Sequence, residues 1–145
     1  MSNELEQTQL RLKTQDNRMT SNPMFCVQML VRDVGYDPDY SENKCYHDSA
    51  NDETVYDDED SKQFSAIEAR VDSAAGCHEQ WELFGYKDRW ETVMVAFTQG
   101  GCEEYLELDG HNVRRRAHAG KVRIYVESFN RCPEMIAIRD HILRL

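Results

Sequence analysis

The chain reads as an α+β fold, a small, mostly antiparallel sheet with helices packed on one face. Three observations predict it. Apolar and polar residues alternate at 24–34, 89–97 and 121–129, with the period of a strand. Apolar residues recur at helical spacing within 61–76, 98–110 and 133–145. The two kinds of segment interleave in the order strand, short strand, helix, strand, helix, strand, helix, with turn residues between them.

Taken in order, residues 1–22 are expected to be a flexible polar tail. Leu5, Leu10 and Leu12 make no helical stripe, and Asn22-Pro23 closes the segment. Residues 23–145 are expected to form a single α+β domain. In MFCVQMLVRDV (24–34) both faces are fairly apolar, which suits a central strand. GYDPDYSENK (35–44) is turn chemistry, and CYH (45–47) a short returning strand. An acidic loop is expected at 47–60, interrupted briefly by Val55 and Tyr56. Phe64, Ile67, Val71 and Ala74 then share a helix face, with Ser61 as a weak cap and Gly76 just past the end. In RWETVMVAF (89–97), Trp90, Thr92, Met94 and Ala96 are assigned one strand face, and Glu91, Val93, Val95 and Phe97 the other. Thr98 caps the next helix, whose buried face is Cys102, Tyr105, Leu106 and Leu108 and which Gly110 ends. RRRAHAGK (114–121) is a basic loop. In KVRIYVESF (121–129) Val122, Ile124 and Val126 point one way, and Arg123, Tyr125 and Glu127 the other. Pro133 opens a last helix with Met135, Ile136, Ile138, Ile142 and Leu143 on its apolar face.

Apolar residues make up 40% of the chain and charged residues 30%, as in a globular domain with a polar surface. No apolar run approaches the ~20 residues of a membrane helix. The polar first residues have no apolar signal core, so a cytoplasmic location is expected. The cysteines (Cys26, Cys45, Cys77, Cys102 and Cys132) are odd in number and irregularly spaced, which suits buried free thiols in a reducing compartment. Net charge is −10. Residues 1–72 hold 7 Lys and Arg against 16 Asp and Glu, and residues 73–145 hold 10 against 11. Such a chain repels nucleic acid and attracts basic surfaces.

HDSANDETVYDDED (47–60) contains Asp48, Asp52, Glu53, Asp57, Asp58, Glu59 and Asp60 and no Lys or Arg. It does not match a calcium-binding EF-hand loop: counted from Asp48, the third position is Ala50 and the sixth is Glu53. It reads as a solvated acidic loop or as a docking surface for an Arg-rich groove. A looser Ca²⁺ or Mg²⁺ site from Asp57, Asp58, Glu59 and Asp60 is a third reading. Cys45, His47, Cys77 and His78 have the composition of a zinc set, but their spacing matches no standard knuckle. No catalytic residue, cofactor or metal is therefore assigned. His111 and Asn112, placed past a helix end, read first as capping groups. Arg114, Arg115 and Arg116 could meet phosphates, a carboxylate-rich partner or the chain's own acidic stretch. Trp81, Phe84, Tyr86 and Trp90 cluster around Gly85 and read as a core edge rather than a base-stacking platform, given Glu79, Glu82, Asp88 and Glu91 beside them.

A further pattern runs through the second half. It comprises Gly85, Tyr86, Asp88 and Trp90; Phe97 and Thr98; Tyr105, Leu106, Gly110, His111 and Asn112; Arg123, Ile124, Tyr125, Val126 and Ser128; and Pro133, Glu134, Ile138 and Arg139. This pattern resembles the C-terminal part of small uncharacterised accessory proteins of tailed phages and prophages of proteobacteria. The connection at RRRAHAGK looks longer than theirs, and the acidic first half lies outside the resemblance. The resemblance implies a phage accessory gene, and genes of that kind often act on host machinery or against host defence. It carries no activity or site residue.

The expected function is thus a non-enzymatic, anti-CRISPR-like or similar anti-defence inhibitor in the cytoplasm of the infected host. Its expected partner is a basic host protein, a nuclease or other defence component, met through the acidic stretch. The alternative is a small-molecule or nucleotide-binding protein, or a small enzyme, using His111, Asn112, Arg123, Tyr125 and Arg131. Direct nucleic-acid binding through Arg114–Arg116 is the weakest reading, because the net charge opposes it.

Overall fold

A computed structural model describes residues 3–73 and 80–145 and has the expected α+β fold with an antiparallel sheet. The described residues form helices α1 (Asn3–Thr14), α2 (Ser61–Ser73), α3 (Gln99–Arg116) and α4 (Pro133–Leu143). The strands are β1 (Pro23–Tyr36), β2 (Lys44–Asp48), β3 (Glu53–Tyr56), β4 (Trp81–Ala96) and β5 (Val122–Ser128), hydrogen-bonded in the order β3-β2-β4-β1-β5. None of the described helices is long and apolar enough to cross a membrane. The chain divides into two compact units. One comprises the residues up to Val31 together with Trp90–Leu145, and the other is Arg32–Arg89.

In the first unit, β5 pairs antiparallel with β1, Tyr125 facing Cys26 and Ile124 facing Val27. Phe25, Val27 and Cys102 are fully buried, with Met94, Ala96, Tyr105, Leu106, Val122, Ile124 and Val126 packed around them. Met29, Val113 and Ala117 continue this core, against Val31 and Val93. Helix α3 therefore covers the strand face that carries Phe25 and Ile124. Val93 and Met94 are neighbours in sequence, yet both pack into this core, so the strict alternation expected of β4 slips there, as at a β-bulge. Thr98 caps α3 as expected, accepting from the Gly101 N–H. The helix does not stop at Gly110 but runs on to Arg116. Gly110 and Val113 are buried, whereas Leu108, expected in the core, is 76% exposed. Arg114, Arg115 and Arg116 occupy its last turn, where cations complement the helix dipole. Three of the eight residues of the expected basic loop thus belong to α3.

The first residues are also helical. Glu4 and Glu6 sit in the first turn of α1 and Arg11 and Lys13 in the last, again with the dipole. Leu12 is buried, Gln9 Nε2 donates to the carbonyls of Leu143 and Leu145, and Arg11 pairs with Glu104 at 3.0 Å. These tertiary contacts hold a helix whose sequence lacks an apolar stripe.

In the second unit, β2 pairs with β3 and with β4, Tyr46 facing Val55 and Leu83. The expected acidic loop is therefore mostly a β-hairpin leading into α2. Tyr46, Val55 and Ile67 are buried, with Phe64, Val71, Trp81 and Leu83 around them, so α2 covers this one face. Asp60, rather than Ser61, starts α2: its side chain accepts from the Gln63 N–H. The expected end of that helix, Ala74 and Gly76, lies outside the described residues. Trp81, Phe84 and Tyr86 do not cluster at a turn but lie along β4.

Gly85 is buried in β4, and a Cβ on it would run into the Ser41 side chain, close to the Asp37 carbonyl. Gly85→Ala is expected to destabilise by about 1–3 kcal/mol. Adding Ser41→Gly should return part of that loss in urea titrations. An equal loss in both backgrounds would show that the contact is not the cause.

Candidate functional site

The site lies in the unit Arg32–Arg89, on the face opposite α2. Strand alternation sets this up: Tyr46, Val55, Trp81 and Leu83 point to α2, so their neighbours Cys45, Tyr56 and Tyr86 point away. Arg32, near the end of β1, reaches into this second face. Its guanidinium lies 4.1 Å from the centre of the Tyr86 ring and 4.8 Å from that of Tyr56, and those two rings meet edge to face. The Arg32 side chain is only 2% exposed.

Three carboxylates close around it. Asp58 takes two bonds, from Nη1 at 3.0 Å and Nη2 at 2.8 Å. Asp88 takes two more, from Nε at 2.7 Å and Nη2 at 2.9 Å. Glu59 lies 3.4 Å from Nη1. Tyr86 Oη donates to Asp57 at 2.6 Å, and the Lys44 N–H donates to the other oxygen of Asp57. Paired forks of this kind are the strongest geometry available to arginine. Burial works against the Arg32 charge, but the bonds to Asp88 and Asp58 outweigh it, and Arg32 is held above its ordinary range. The Arg32 bonds hold Asp58 below the usual carboxylate range. Burial, then the bonds to Asp57 and Asp58, pushes the Tyr86 phenol up. Burial, then Asp57, pushes the Cys45 thiol up to about 11, so this thiol is a packing group rather than a nucleophile.

The acidic stretch is thus largely engaged within its own unit. Asp48 is buried and accepts from the Ala50 and Asn51 N–H groups and from the Asn51 side chain. Those bonds, the Asn51 side chain first, hold it below its ordinary value. Asp52 has a positive φ of 49° at the hairpin turn and lies 3.9 Å from His47. Glu53 accepts from Gln63. Of the seven carboxylates expected to meet a partner, several are thus already bonded within the unit. Asp57, Asp58, Glu59 and Asp60 first build the fold, and the outer sides of Asp58 and Glu59, 45% and 39% exposed, face water. Arg32 and Asp88, which complete the site, were not among the candidate site residues, and Asp88 stood only beside the aromatic residues and in the second-half pattern. The available signal was a lone arginine at the end of an otherwise apolar strand.

The alternative ligand set does not converge. Arg123 and Tyr125 lie on the strand face away from α3. There Arg123 sits between Trp90 and Tyr125, 4.2 and 4.5 Å from their ring centres, and donates to Gln28 at 2.8 Å. His111 and Asn112 are exposed within α3, not past its end, and Asn112 binds Asp109 and Arg115. Arg131 is exposed beyond β5. Of the suggested zinc set, Cys77 and His78 lie outside the described residues, Cys45 is buried, and His47 bonds Thr54 at 2.9 Å. Among the described residues no group of three or more His, Cys, Asp and Glu could hold a metal ion.

Comparison of this chain with protein-family models, with curated proteins and with solved structures found no match.

Proposed function

We propose that this protein acts by binding, not catalysis. It docks on a basic host protein, a nuclease or another nucleic-acid-handling component of a defence system, and blocks it in the manner of an anti-CRISPR inhibitor. One observation carries the reading, the segregation of charge between the two units. Arg32–Arg89 contains 6 Lys and Arg against 16 Asp and Glu, which is the whole net charge of −10, while the rest of the chain balances 11 against 11. A groove that receives nucleic acid supplies Lys and Arg spaced for phosphate, and a carboxylate-rich unit can occupy it. The same charge opposes direct binding to DNA or RNA. The reading requires no cofactor and no metal. The resemblance of the second half to phage and prophage accessory proteins points the same way, with the cytoplasm of an infected bacterium as the place of action.

The test is capture from a host lysate with the tagged chain, followed by a salt gradient. A basic nucleic-acid enzyme released at moderate salt is the expected result, because exposed charge pairs are screened within about 10 Å at 0.1 M salt. Recovery of nothing at low salt, or of a partner indifferent to salt, overturns the reading.

A further inference from the structure

The sheet has two edges, β3 and β5. They differ in how they are guarded. β3 is 4 residues long, begins with Glu53 and leads into Asp57–Asp60. Short, charged edges discourage pairing with another chain. β5 is 7 residues long, VRIYVES, and has neither proline nor lysine. Among the described residues no backbone hydrogen bond joins its outer side to another element. A groove of about 290 Å³ is lined by Arg18, Phe25, Gln99 and the β5 residues Ile124, Tyr125 and Val126. Tyr125, at the middle of the strand, is 44% exposed.

The order of residues along β5 is self-complementary. Placed antiparallel to a second copy about a two-fold axis at Tyr125, the strand sets Arg123 opposite Glu127 of the other copy, and Glu127 opposite its Arg123. On the same face Tyr125 meets Tyr125. On the other face Ile124 meets Val126, twice, and Val122 meets Ser128, twice. Every directly opposed pair is then of a type that favours pairing or is neutral: opposite charges, aromatic on aromatic, β-branched on β-branched. A shift by two residues either way loses both Arg123–Glu127 pairs; one direction sets Lys121, just before the strand, opposite Glu127 in their place, and the other sets Arg123 opposite Phe129. An isologous contact requires a surface that matches itself in this way.

We propose that this protein forms a homodimer by antiparallel pairing of β5 with β5 of a second copy, centred on Tyr125. The inference concerns the unit that carries no net charge, and it is independent of the docking reading above.

Sedimentation of the intact chain across micromolar concentrations should show a dimer. A monomer at every concentration overturns the proposal. Register is tested by crosslinking in a Cys132→Ser background. Directly opposed Cα atoms in an antiparallel pair lie about 4.5–5.5 Å apart, inside the disulfide range. Tyr125→Cys should therefore give a covalent dimer under mild oxidation, and Val122→Cys should not. A dimer that Tyr125→Cys fails to crosslink would mean that another surface is used, which also overturns it. Glu127→Arg, on an exposed side chain, should raise the dimer dissociation constant about tenfold by placing like charges opposite each other twice. Adding Arg123→Glu should restore much of that loss. A merely structural role of Arg123 would make the double variant worse than the single one.

Discussion

Arg32→Met should destabilise the unit Arg32–Arg89 by about 3 kcal/mol, as removal of one partner from a buried ion pair does. The side chain keeps its approximate volume, so the loss is electrostatic rather than a cavity. Two features place the value above that of a surface pair. The guanidinium is 2% exposed, and it serves Asp58, Asp88 and Glu59 at once while lying between Tyr56 and Tyr86. Without it the carboxylates surround an apolar side chain. Urea titration followed by tyrosine and tryptophan fluorescence measures the difference. A loss below about 1 kcal/mol would mean that the cluster behaves as ordinary surface pairs. Acid sharpens the test. Asp58 is held below its ordinary value by Arg32, so its contribution is complete above the unfolded carboxylate range and disappears as pH falls through its lowered folded value. Arg32 stays charged throughout. The gap between native and Arg32→Met chains should narrow on acidification.

Neutralising Asp57, Asp58, Glu59 and Asp60 together should be comparably damaging, about 3 kcal/mol or more, because it leaves a buried guanidinium with Asp88 as its remaining carboxylate fork. The same change removes the acceptor of Tyr86 and the cap of α2. Loss of partner binding in that variant would therefore report unfolding of the site. Neutralising the exposed Asp39, Glu42, Glu68 and Asp72 removes as much charge from the same unit. Stability should stay within about 0.5 kcal/mol, as for substitutions away from buried networks. Partner binding should still weaken, chiefly through the on-rate and most at low salt. If the folded peripheral variant binds as tightly as the native chain, the unit's general charge is not what docks.

Much of the fold was legible because its signals are local. The alternation at 24–34 and 121–129 survives as β1 and β5, and Thr98 and Pro133 open α3 and α4 as their chemistry dictates. The failures share a cause. Helix α1 is held by Leu12 and by Gln9 bonding carbonyls at the far end of the chain, so nothing within its own residues announces it. Strand β3 was hidden because Val55 is its one buried residue, amid carboxylates that read as loop. Helix α3 outran Gly110 because that glycine is buried in a packed helix rather than placed at its end. The acidic stretch was conspicuous in the sequence. Its counter-charge was not, since Arg32 reads there as the polar member of an alternating strand, and its pairing with Asp58 and Asp88 spans 26 and 56 residues.

The charged unit leaves and rejoins the rest of the chain at neighbouring points. Arg32 bonds Asp88 and Asp33 pairs with Arg89 at 2.9 Å, so its first and last residues are tied side by side. A segment whose ends meet is a closed excursion, and the entropy of closing it rises only slowly with its length. It can gain, lose or exchange residues between those two clasps without altering the course of the chain outside them. Change in the acidic surface is thereby separable from change in the rest of the protein.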